Sequence, residues 1–578
     1  MSATISSSRK LADHSADWRM LGLSAGALAV GTGGALSAWL LLKLIALATN
    51  VFWFGRFSAE SVQITDNTLG LAILAVPVVG SLIVGLTARY GSDKIRGHGI
   101  PEAIETILFG ESRMSLKVAI LKPLSSAISI GSGGPFGAEG PIIMTGGAIG
   151  SLFAQCFQLS AAERKTLLVS GAAAGMTAIF GTPMAAILLA VEVLLFEWKP
   201  RSFVPVVVAS LVSLAWRPLL VGTGPLFPFA GTMPAEGLPI ALAIGVLVGF
   251  EAIILSSMLY RIEDLFHRLP VHWMWWPAIG AVAVGIGGLI DARILGAGYQ
   301  SIQALLEGSM AVRAMVSLLL VKAVAWLVAL GSGTSGGVLA PLLILGGALG
   351  LLVGQFLPGE AGFWAMIGMA GIISGAMRAP LTGAIFAVEL TGHYHALPAT
   401  IAASVGAYAV SVLLMRRSIL TEKIARRGRH IRQEYTVDQL EFLQADDVMT
   451  RDPQCLVGTM KITDAAVYFS EEAEHRSYPV VDGEGRLLGL ASRSDALQWQ
   501  VSGGPDGASL ADVLSDASQP YGLANSPIGE IADVMIKTGI GRIPIVNPSN
   551  MRVVGILTRH DLLKARHGLN RAETERRR

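Results

Sequence analysis

Residues 131–155 read GSGGPFGAEGPIIMTGGAIGSLFAQ, and residues 331–355 read GSGTSGGVLAPLLILGGALGLLVGQ. Eleven of the twenty-five aligned positions are identical without a gap. A second pair of similar segments follows, TPMAAILLAVEV at 182–193 and APLTGAIFAVEL at 379–390. The prolines, the glutamine and the glutamates coincide, which argues against chance similarity between glycine-rich helices. The sequence therefore predicts two related halves.

Each copy of the first segment places a glycine-rich stretch before a proline and an apolar helix. Pro141 and Pro341 suit the first turn of a helix. A helix N-terminus presents unpaired N–H groups and a partial positive charge. Two converging N-termini can bind an anion without a cationic side chain. The same glycines also suit tight helix packing, and the pattern alone leaves both interpretations open.

The composition indicates a membrane protein with a soluble tail. Of 578 residues, 52% are hydrophobic and 15% are charged, whereas soluble domains average about a quarter charged. Apolar runs near twenty residues, such as Leu21–Leu42 and Trp275–Ile290, recur between Met20 and Met415, and runs of this length can span a bilayer. After Arg416 the composition is that of a soluble domain.

The charges and cysteines exclude several classes of protein and indicate an orientation. A net charge of +2 gives no support for nucleic-acid binding. Cys156 and Cys455 are the only cysteines, so the sequence predicts neither a disulfide framework nor a metal site. The last apolar run is followed by basic residues, namely Arg416, Arg417, Lys423, Arg426, Arg427 and Arg429. The positive-inside rule therefore places the tail in the cytosol, with the bundle in the plasma or inner membrane.

Four motifs resemble the CLC family of chloride channels and chloride/proton exchangers over about residues 20–428. They are GHGIPEA at 97–103, GAEGP at 137–141, GGVLAP at 336–341 and SILTEKIARRG at 418–428. Each motif alone is weak, but four in order within a duplicated membrane domain are specific. The resemblance implies an α-helical polytopic fold of two inverted repeats, and a homodimer with a separate anion path in each subunit.

The resemblance also implies the residues of the pathway. Glu139 corresponds to the gating glutamate, whose carboxylate competes with the anion for the outer site. The implied anion-binding residues are His98, Gly99, Ile100, Ala138, Gly140, Val338 and Leu339. A carboxylate inside a membrane is costly and is a functional candidate, and its protonation removes the competing charge. The alternative is a carboxylate that only caps a helix.

Three positions depart from the usual family pattern. His98 replaces a serine, and its imidazole titrates near neutral pH when unperturbed; it either binds the anion or points away from it. Leu420 replaces the tyrosine of the inner gate, which leaves that gate wider or purely hydrophobic. Val193 replaces the internal proton-relay glutamate of many exchangers, while Glu192 and Glu389 are expected to be structural.

The tail contains a second repeat. YPVVDGEGRLLGLASRSDAL at 478–497 matches IPIVNPSNMRVVGILTRHDLL at 543–563, each typical of strand, turn, strand and helix. This resembles a tandem CBS pair, which implies an α/β fold and adenine nucleotide binding. Ser492, Asp495, Thr558 and Asp561 are the candidate residues for ATP, ADP or AMP. A hydroxyl at a helix start can hold a phosphate, although all four residues also suit helix caps.

The predicted domains are a cytosolic N-terminal segment at 1–19, a CLC-like transmembrane domain at 20–430 with repeats at about 69–221 and 237–415, a linker at 431–440, CBS modules at 441–501 and 510–567, and a basic tail at 568–578. Transport of chloride or a related small anion is the predicted function, with no required cofactor. Val193 and Leu420 leave open whether it is coupled to protons or is a passive voltage- or pH-gated channel. A divalent-cation transporter would need converging acidic residues, and no catalytic pair indicates an enzyme.

Overall fold

The computed structural model describes residues 18–234, 236–429, 431, 443–502, 507–514 and 520–565. Most of the predicted N-terminal segment, the linker beyond residue 431 and the basic tail lie outside these residues. The chain divides into two compact units, His14–Gln433 and a second that contains Glu434–Arg578.

The membrane unit is built from helices that correspond pairwise between its halves. The first half contains α1 (Arg19–Thr49), α2 (Ala75–Tyr90), α3 (Ile100–Phe109), α4 (Leu116–Gly131), α5 (Glu139–Gln155), α6 (Ala161–Phe180), α7 (Pro183–Leu189) and α8 (Pro200–Leu220). The second contains α9 (Gly237–His267), α10 (Trp276–Ile290), α11 (Tyr299–Leu306), α12 (Val312–Ser317), α13 (Ala323–Gly331), α14 (Leu339–Gly354), α15 (Ala361–Met377), α16 (Pro380–Thr391) and α17 (Leu397–Leu414), followed by α18 (Thr421–Arg426).

The packing of the helices repeats in the two halves. Helix α5 lies against α6 as α14 lies against α15, and α1 lies against α8 as α9 lies against α17. Helices α1 and α9 are both 31 residues long. These contacts extend the first half to α1, ahead of the start predicted near residue 69.

Some helices are long enough to cross a membrane, and others are shorter. Seven helical segments in the described part of the chain are long and apolar enough to span a bilayer. Helices α5 and α14 have 17 and 16 residues, which gives about 24–26 Å at 1.5 Å per residue. That is shorter than the hydrocarbon core of about 30 Å. Their N-termini can therefore lie within the bundle.

The two halves meet at the segments that precede α5 and α14. Gly137 and Gly337 form an isolated antiparallel bridge, in which the Gly337 N–H donates to the Gly137 carbonyl at 2.9 Å. These residues are equivalent in the repeat, so the bridge lies on a local two-fold axis. This arrangement confirms the inverted repeats that the family resemblance implied.

Close helix contacts account for other glycines of the repeat. A Cβ on Gly171 in α6 would lie 2.1 Å from the carbonyl oxygen of Gly146 in α5. A Cβ on Gly368 in α15 would lie 2.1 Å from the carbonyl oxygen of Gly346 in α14. Real Cβ atoms do not approach so closely, so these glycines serve packing. The glycines that precede α5 and α14 have a different role, because they surround Glu139.

The second unit contains α19 (Ala445–Val448), β1 (Thr450–Arg451), β2 (Leu456–Val457), α20 (Ile462–Glu471), β3 (Ser477–Val481), β4 (Leu487–Ser492), α21 (Arg493–Ser502), α22 (Leu510–Leu514), β5 (Gly522–Leu523), α23 (Ile528–Thr538), β6 (Arg542–Val546) and β7 (Val553–Thr558). One sheet has the order β2-β3-β4 and the other β1-β7-β6-β5. Both hairpins are antiparallel, and each has a register shift near its turn end. The hairpins confirm the strand–turn–strand repeat predicted for the tail.

Candidate anion-binding site

Glu139 is the first residue of α5, and its side chain is fully buried. Its Oε1 accepts a hydrogen bond from the Ala340 N–H at 3.1 Å. Ala340 belongs to the first turn of α14 in the opposite half. The carboxylate therefore lies between two helix N-termini, where the partial positive charges favour an anion.

Glycines on both sides of Glu139 make room for the carboxylate. A Cβ on Gly137 would lie 1.8 Å from Oε2, and a Cβ on Gly337 would lie 2.5 Å from it. Oε2 has no hydrogen-bond partner among the described residues. The carboxylate thus lies between glycine-containing backbone segments of both halves, and one of its oxygens is not tied to the protein.

The GHGIP loop lies directly against the first turn of α5. Gly99 has a φ of +89°, and its N–H donates to Oε2 of Glu102 at 3.1 Å, which fixes the start of α3 at Ile100. A Cβ on Gly140 would lie 1.8 Å from the carbonyl oxygen of His98. The structure therefore brings the predicted loop residues next to Ala138–Gly140.

The imidazole of His98 faces an inner cavity of about 350 Å³. Both ring nitrogens are buried, and neither has a hydrogen-bond partner among the described residues. The charged residues that line the same cavity are Asp93, Arg96, Glu263, Asp264, Lys423, Arg426 and Arg427. His98 therefore offers its free donor or acceptor groups to whatever enters this cavity.

A guanidinium group and two ion pairs border the cavity near His98. The Arg96 guanidinium lies 4.4 Å from the centre of the Trp273 ring, a cation–π contact. Lys423 and Arg427 form ion pairs with Glu102 at 3.3 and 3.1 Å. These contacts hold basic groups beside the loop, where they attract anions.

Two lysines without a predicted role hold equivalent loops in the two halves. The Lys122 ammonium donates to the carbonyls of Ile95 and Gly97, both at 2.8 Å. The Lys322 ammonium donates to the carbonyls of Ile294 and Gly296, at 3.0 and 3.4 Å. Both lysines are fully buried. The signal was present in the sequence, because each lysine lies nine residues before the aligned GSG at 131 and 331.

The remaining predicted pathway residues are Val338, Leu339 and Leu420. Val338 is the N-cap of α14 and Leu339 is its first residue, and both are fully buried. The donor to Glu139 is one residue further along, at Ala340. Leu420 is fully buried in the hydrophobic core and is not among the residues that line the inner cavity. The hydroxyl of Tyr260 donates to the carbonyl of the preceding Ile419.

Glu192 and Glu389 cap each other's helices. Glu192 accepts the Thr382 N–H at the start of α16 at 2.8 Å. Glu389 in α16 accepts the Ala185 N–H at the start of α7 at 2.8 Å. Both carboxylates therefore have the structural contacts that the sequence predicted. Val193, beside Glu192, is fully buried and has no group that can carry a proton.

In the second unit, the predicted nucleotide residues bond to each other. Oδ2 of Asp495 accepts the N–H and hydroxyl of Ser492 at 2.8 and 2.6 Å. Oδ2 of Asp561 accepts the N–H and hydroxyl of Thr558 at 2.9 and 2.7 Å. Each pair closes the first turn of a helix, so the capping contacts are present. A cavity of about 460 Å³ in this unit is lined by other residues, namely Gln444, Asp446, Met449, Arg451, Asp452, Ala524, Asn525, Asn547 and Val554.

A membrane bundle of inverted repeats, with two helix N-termini converging on a buried carboxylate, defines the chain as an anion-transport type of membrane protein. The family model described as voltage gated chloride channel matches residues 79–412, and the CBS domain model matches 445–502 and 523–568. The chain belongs to the CLC family and carries a pair of CBS domains.

Curated relatives include both exchangers and channels by name. The chain is 29% identical over 415 residues to the H(+)/Cl(−) exchange transporter ClcA of Salmonella paratyphi A, covering 66% of this chain and 85% of that protein. It is 28% identical over 415 residues to the voltage-gated ClC-type chloride channel ClcB of an Escherichia coli O17:K52:H18 strain, covering 69% of this chain and 96% of that protein.

Solved structures share the fold. A slow cyanobacterial Cl−/H+ antiporter superposes with a TM-score of 0.62 at 20% identity, covering 72% of this chain and 99% of that one. A eukaryotic CLC transporter superposes with a TM-score of 0.58 at 19% identity, covering 94% of this chain and 98% of that one.

The reciprocal caps predict that Glu192 acts on stability and not on transport. Glu192→Ala leaves the first-turn N–H groups of α16 unpaired, which we expect to lower the free energy of unfolding by about 1–3 kcal/mol. Thermal unfolding in detergent measures the loss, with Glu60→Ala at an exposed position as the control. The ratio of proton to anion flux in proteoliposomes should not change. A changed ratio at unaltered thermal stability would instead make Glu192 a proton relay.

Proposed function

We propose that this protein exchanges chloride, or a related small anion, for protons across a cell membrane, with Glu139 as the gate. The hydrogen bond from the Ala340 N–H to the Glu139 carboxylate supports this proposal. The carboxylate occupies the place between two helix starts that an anion would occupy, so the two compete for one positive pocket.

Protonation of Glu139 couples the two transported species. A proton neutralises the carboxylate and removes its attraction to the α14 N-terminus. The side chain then leaves the pocket, and an anion binds to the backbone N–H groups around Ala138–Gly140 and Val338–Ala340. When the anion departs, the deprotonated carboxylate returns. Oε2, which has no partner among the described residues, is the oxygen open to a proton.

The inner cavity supplies the anion from the other side. Its basic residues concentrate anions, and His98 and the backbone of Gly99 and Ile100 receive them next to Gly140. Leu420, the predicted inner gate, lies in the hydrophobic core and offers no donor to an anion. The passive channel is the competing function, and the buried Val193 favours it because that position cannot relay a proton.

The proposal also covers the membrane, the transported ions, the homodimer and the orientation of the chain. The partners are the lipid membrane, chloride and protons, with two copies of the chain forming a homodimer. The basic residues from Arg416 to Arg429 support an orientation in which the end of the bundle and the CBS domains are on the cytosolic side, with the bundle in the plasma or inner membrane. The protein is a transporter without an enzymatic activity.

Glu139→Gln tests the gate directly. We expect it to abolish proton movement while anion flux continues, because the amide cannot ionise and has no charge to compete with the anion. Proteoliposomes with a chloride gradient measure both fluxes together, with a pH electrode for protons and a chloride electrode for the anion. Glu60→Gln is the control.

Two results contradict the exchange mechanism. If Glu139→Gln still moves protons uphill at the expense of the chloride gradient, Glu139 is not the proton carrier. If the unaltered protein dissipates the chloride gradient without moving protons, it is a channel.

His98 should link chloride binding to pH. The charged groups around its imidazole are Glu102, Lys122, Lys423 and Arg427. Protonation of the imidazole adds a positive charge in a site of low dielectric, so it strengthens anion binding, and by linkage a bound anion favours protonation. We therefore expect chloride affinity to rise only as pH falls well below neutral, because burial and the neighbouring cations Lys423, Lys122 and Arg427 disfavour the charged imidazole.

Calorimetry with chloride in a Glu139→Gln background checks this, because that change removes the gate's own titration. Adding His98→Ser should flatten the pH dependence and keep chloride binding, since the backbone amides remain. His395→Ser, at an exposed position, is the control. An unchanged pH slope after His98→Ser would show that the imidazole does not titrate with the anion.

We propose that the CBS pair binds an adenine nucleotide and regulates transport. Each module contains a hydroxyl and a carboxylate at a helix start, and the second module, with Thr558 and Asp561, is the better candidate. Binding requires Asp561 to exchange its Thr558 contacts for a ribose hydroxyl. ATP, ADP and AMP share the adenosine that such a site would recognise.

Calorimetry of the full chain with each nucleotide at up to about millimolar concentration tests this. We expect Asp561→Ala to weaken binding by about tenfold, the worth of one hydrogen bond of about 1.4 kcal/mol. Asp512→Ala removes an equivalent cap, which accepts from the N–H and hydroxyl of Ser509, and is the matched control. No heat with any of the three nucleotides, or equal affinity in Asp561→Ala, would reject the site.

A further inference from the structure

The anion loop at 95–103 has a structural counterpart in the second half. Residues 95–103 read IRGHGIPEA and residues 294–302 read ILGAGYQSI. Both loops carry two glycines with positive φ, at +76° and +89° in the first and at +66° and +72° in the second. Both are held by a buried lysine through two carbonyls. Helix α11 begins at Tyr299 as α3 begins at Ile100.

The second loop delivers the side chain of Tyr299 to the gating glutamate. The hydroxyl is buried and has no hydrogen-bond partner among the described residues. It lies beside the backbone N–H of Ala138 and within electrostatic range of the Glu139 carboxylate. The ring is only partly buried, and its face is held by Phe227, whose ring centre is 5.7 Å away in an edge-on contact. The ring therefore positions the hydroxyl at the site.

Burying a hydroxyl without a hydrogen-bond partner costs free energy unless a bound ligand supplies that partner. A phenol can donate one hydrogen bond to an anion and accept one from an N–H group. Here the N–H of Ala138 and the carboxylate of Glu139 are the groups that act on the hydroxyl. When the carboxylate leaves, the hydroxyl and the helix N-termini face the vacated pocket together.

We propose that Tyr299 is an anion-binding residue of the outer site, whose hydroxyl donates to chloride in the pocket that Glu139 vacates. This inference rests on the proposed function. Because the halves are inverted, the loop of Tyr299 approaches from the side of the membrane opposite to the loop of His98. The pathway then has one side-chain donor from each half: an imidazole at the inner end and a phenol at the outer end. The phenol of Tyr299 supplies a hydroxyl donor to the pathway, which Leu420 cannot supply.

The selectivity of the outer site among anions follows from the hydrogen bond that the Tyr299 hydroxyl donates. A hydroxyl donor favours small anions with concentrated charge, since they accept the stronger hydrogen bonds. Larger, weakly hydrated anions such as thiocyanate gain less from it. Removal of the hydroxyl should therefore weaken chloride binding more than thiocyanate binding. This difference distinguishes direct binding from a general loosening of the fold.

The test compares Tyr299→Phe with the unaltered Tyr299 in the full chain carrying Glu139→Gln. Chloride and thiocyanate binding are measured by calorimetry in detergent. We expect Tyr299→Phe to raise the Kd for chloride by about tenfold, which corresponds to one hydrogen bond to a charged group, and to raise that for thiocyanate by less. Tyr90→Phe is the control, since Tyr90 is 82% exposed. Thermal unfolding verifies that each variant is folded.

An unchanged chloride Kd in Tyr299→Phe would overturn this role and leave the proposed function intact. Equal weakening of chloride and thiocyanate would also overturn it, because the hydroxyl would then act on packing. If the Glu139→Gln protein binds no chloride even with Tyr299 present, the anion site itself is wrong, and the role of Tyr299 falls with it.

Discussion

The pairing of Gly137 with Gly337 constrains the rest of the membrane unit. It fixes the starts of α5 and α14 against each other, so that the Ala340 N–H reaches the Glu139 carboxylate. Neither residue can carry a side chain, because a Cβ would meet that carboxylate. The GHGIP loop lies on the same first turn of α5 through Gly140. One backbone contact between two halves thus sets the position of Glu139, the loop and both helix N-termini.

Several buried charges of this unit form their hydrogen bonds with backbone groups. Glu139 accepts from an amide of α14, the ammonium groups of Lys122 and Lys322 donate to loop carbonyls, and Glu192 and Glu389 cap helices. A direct ion pair would neutralise a charge in place, whereas a bond to the backbone satisfies the group and leaves its charge effective. Glu102 differs, because it is paired with both Lys423 and Arg427, and these two cations outnumber its single negative charge.

Sequence reasoning located the repeats, the two helix starts, Glu139 and the GHGIP loop, since each is marked by a local pattern of glycine, proline and charge. It assigned Glu192 and Glu389 correctly to structure, because both halves repeat them. It gave no role to Lys122 and Lys322, and it named Val338 and Leu339 at the start of α14 but not Ala340, whose N–H donates to Glu139. These roles depend on contacts between residues far apart in the chain, such as the 201 positions between Glu139 and Ala340. No local pattern specifies which atoms meet across such a distance.

The reciprocal caps between α7 and α16 have a consequence for biosynthesis. The Ala185 N–H has no capping carboxylate until Glu389 is synthesised, 204 residues later. A ribosome adds about 5–20 residues per second, so the interval is about 10–40 s. During that time the first half is in the bilayer with unpaired backbone N–H groups at the start of α7. Glu139 also has no donor from α14. The nascent chain must therefore keep water, lipid headgroups or an insertion factor at these positions until its own second half replaces them.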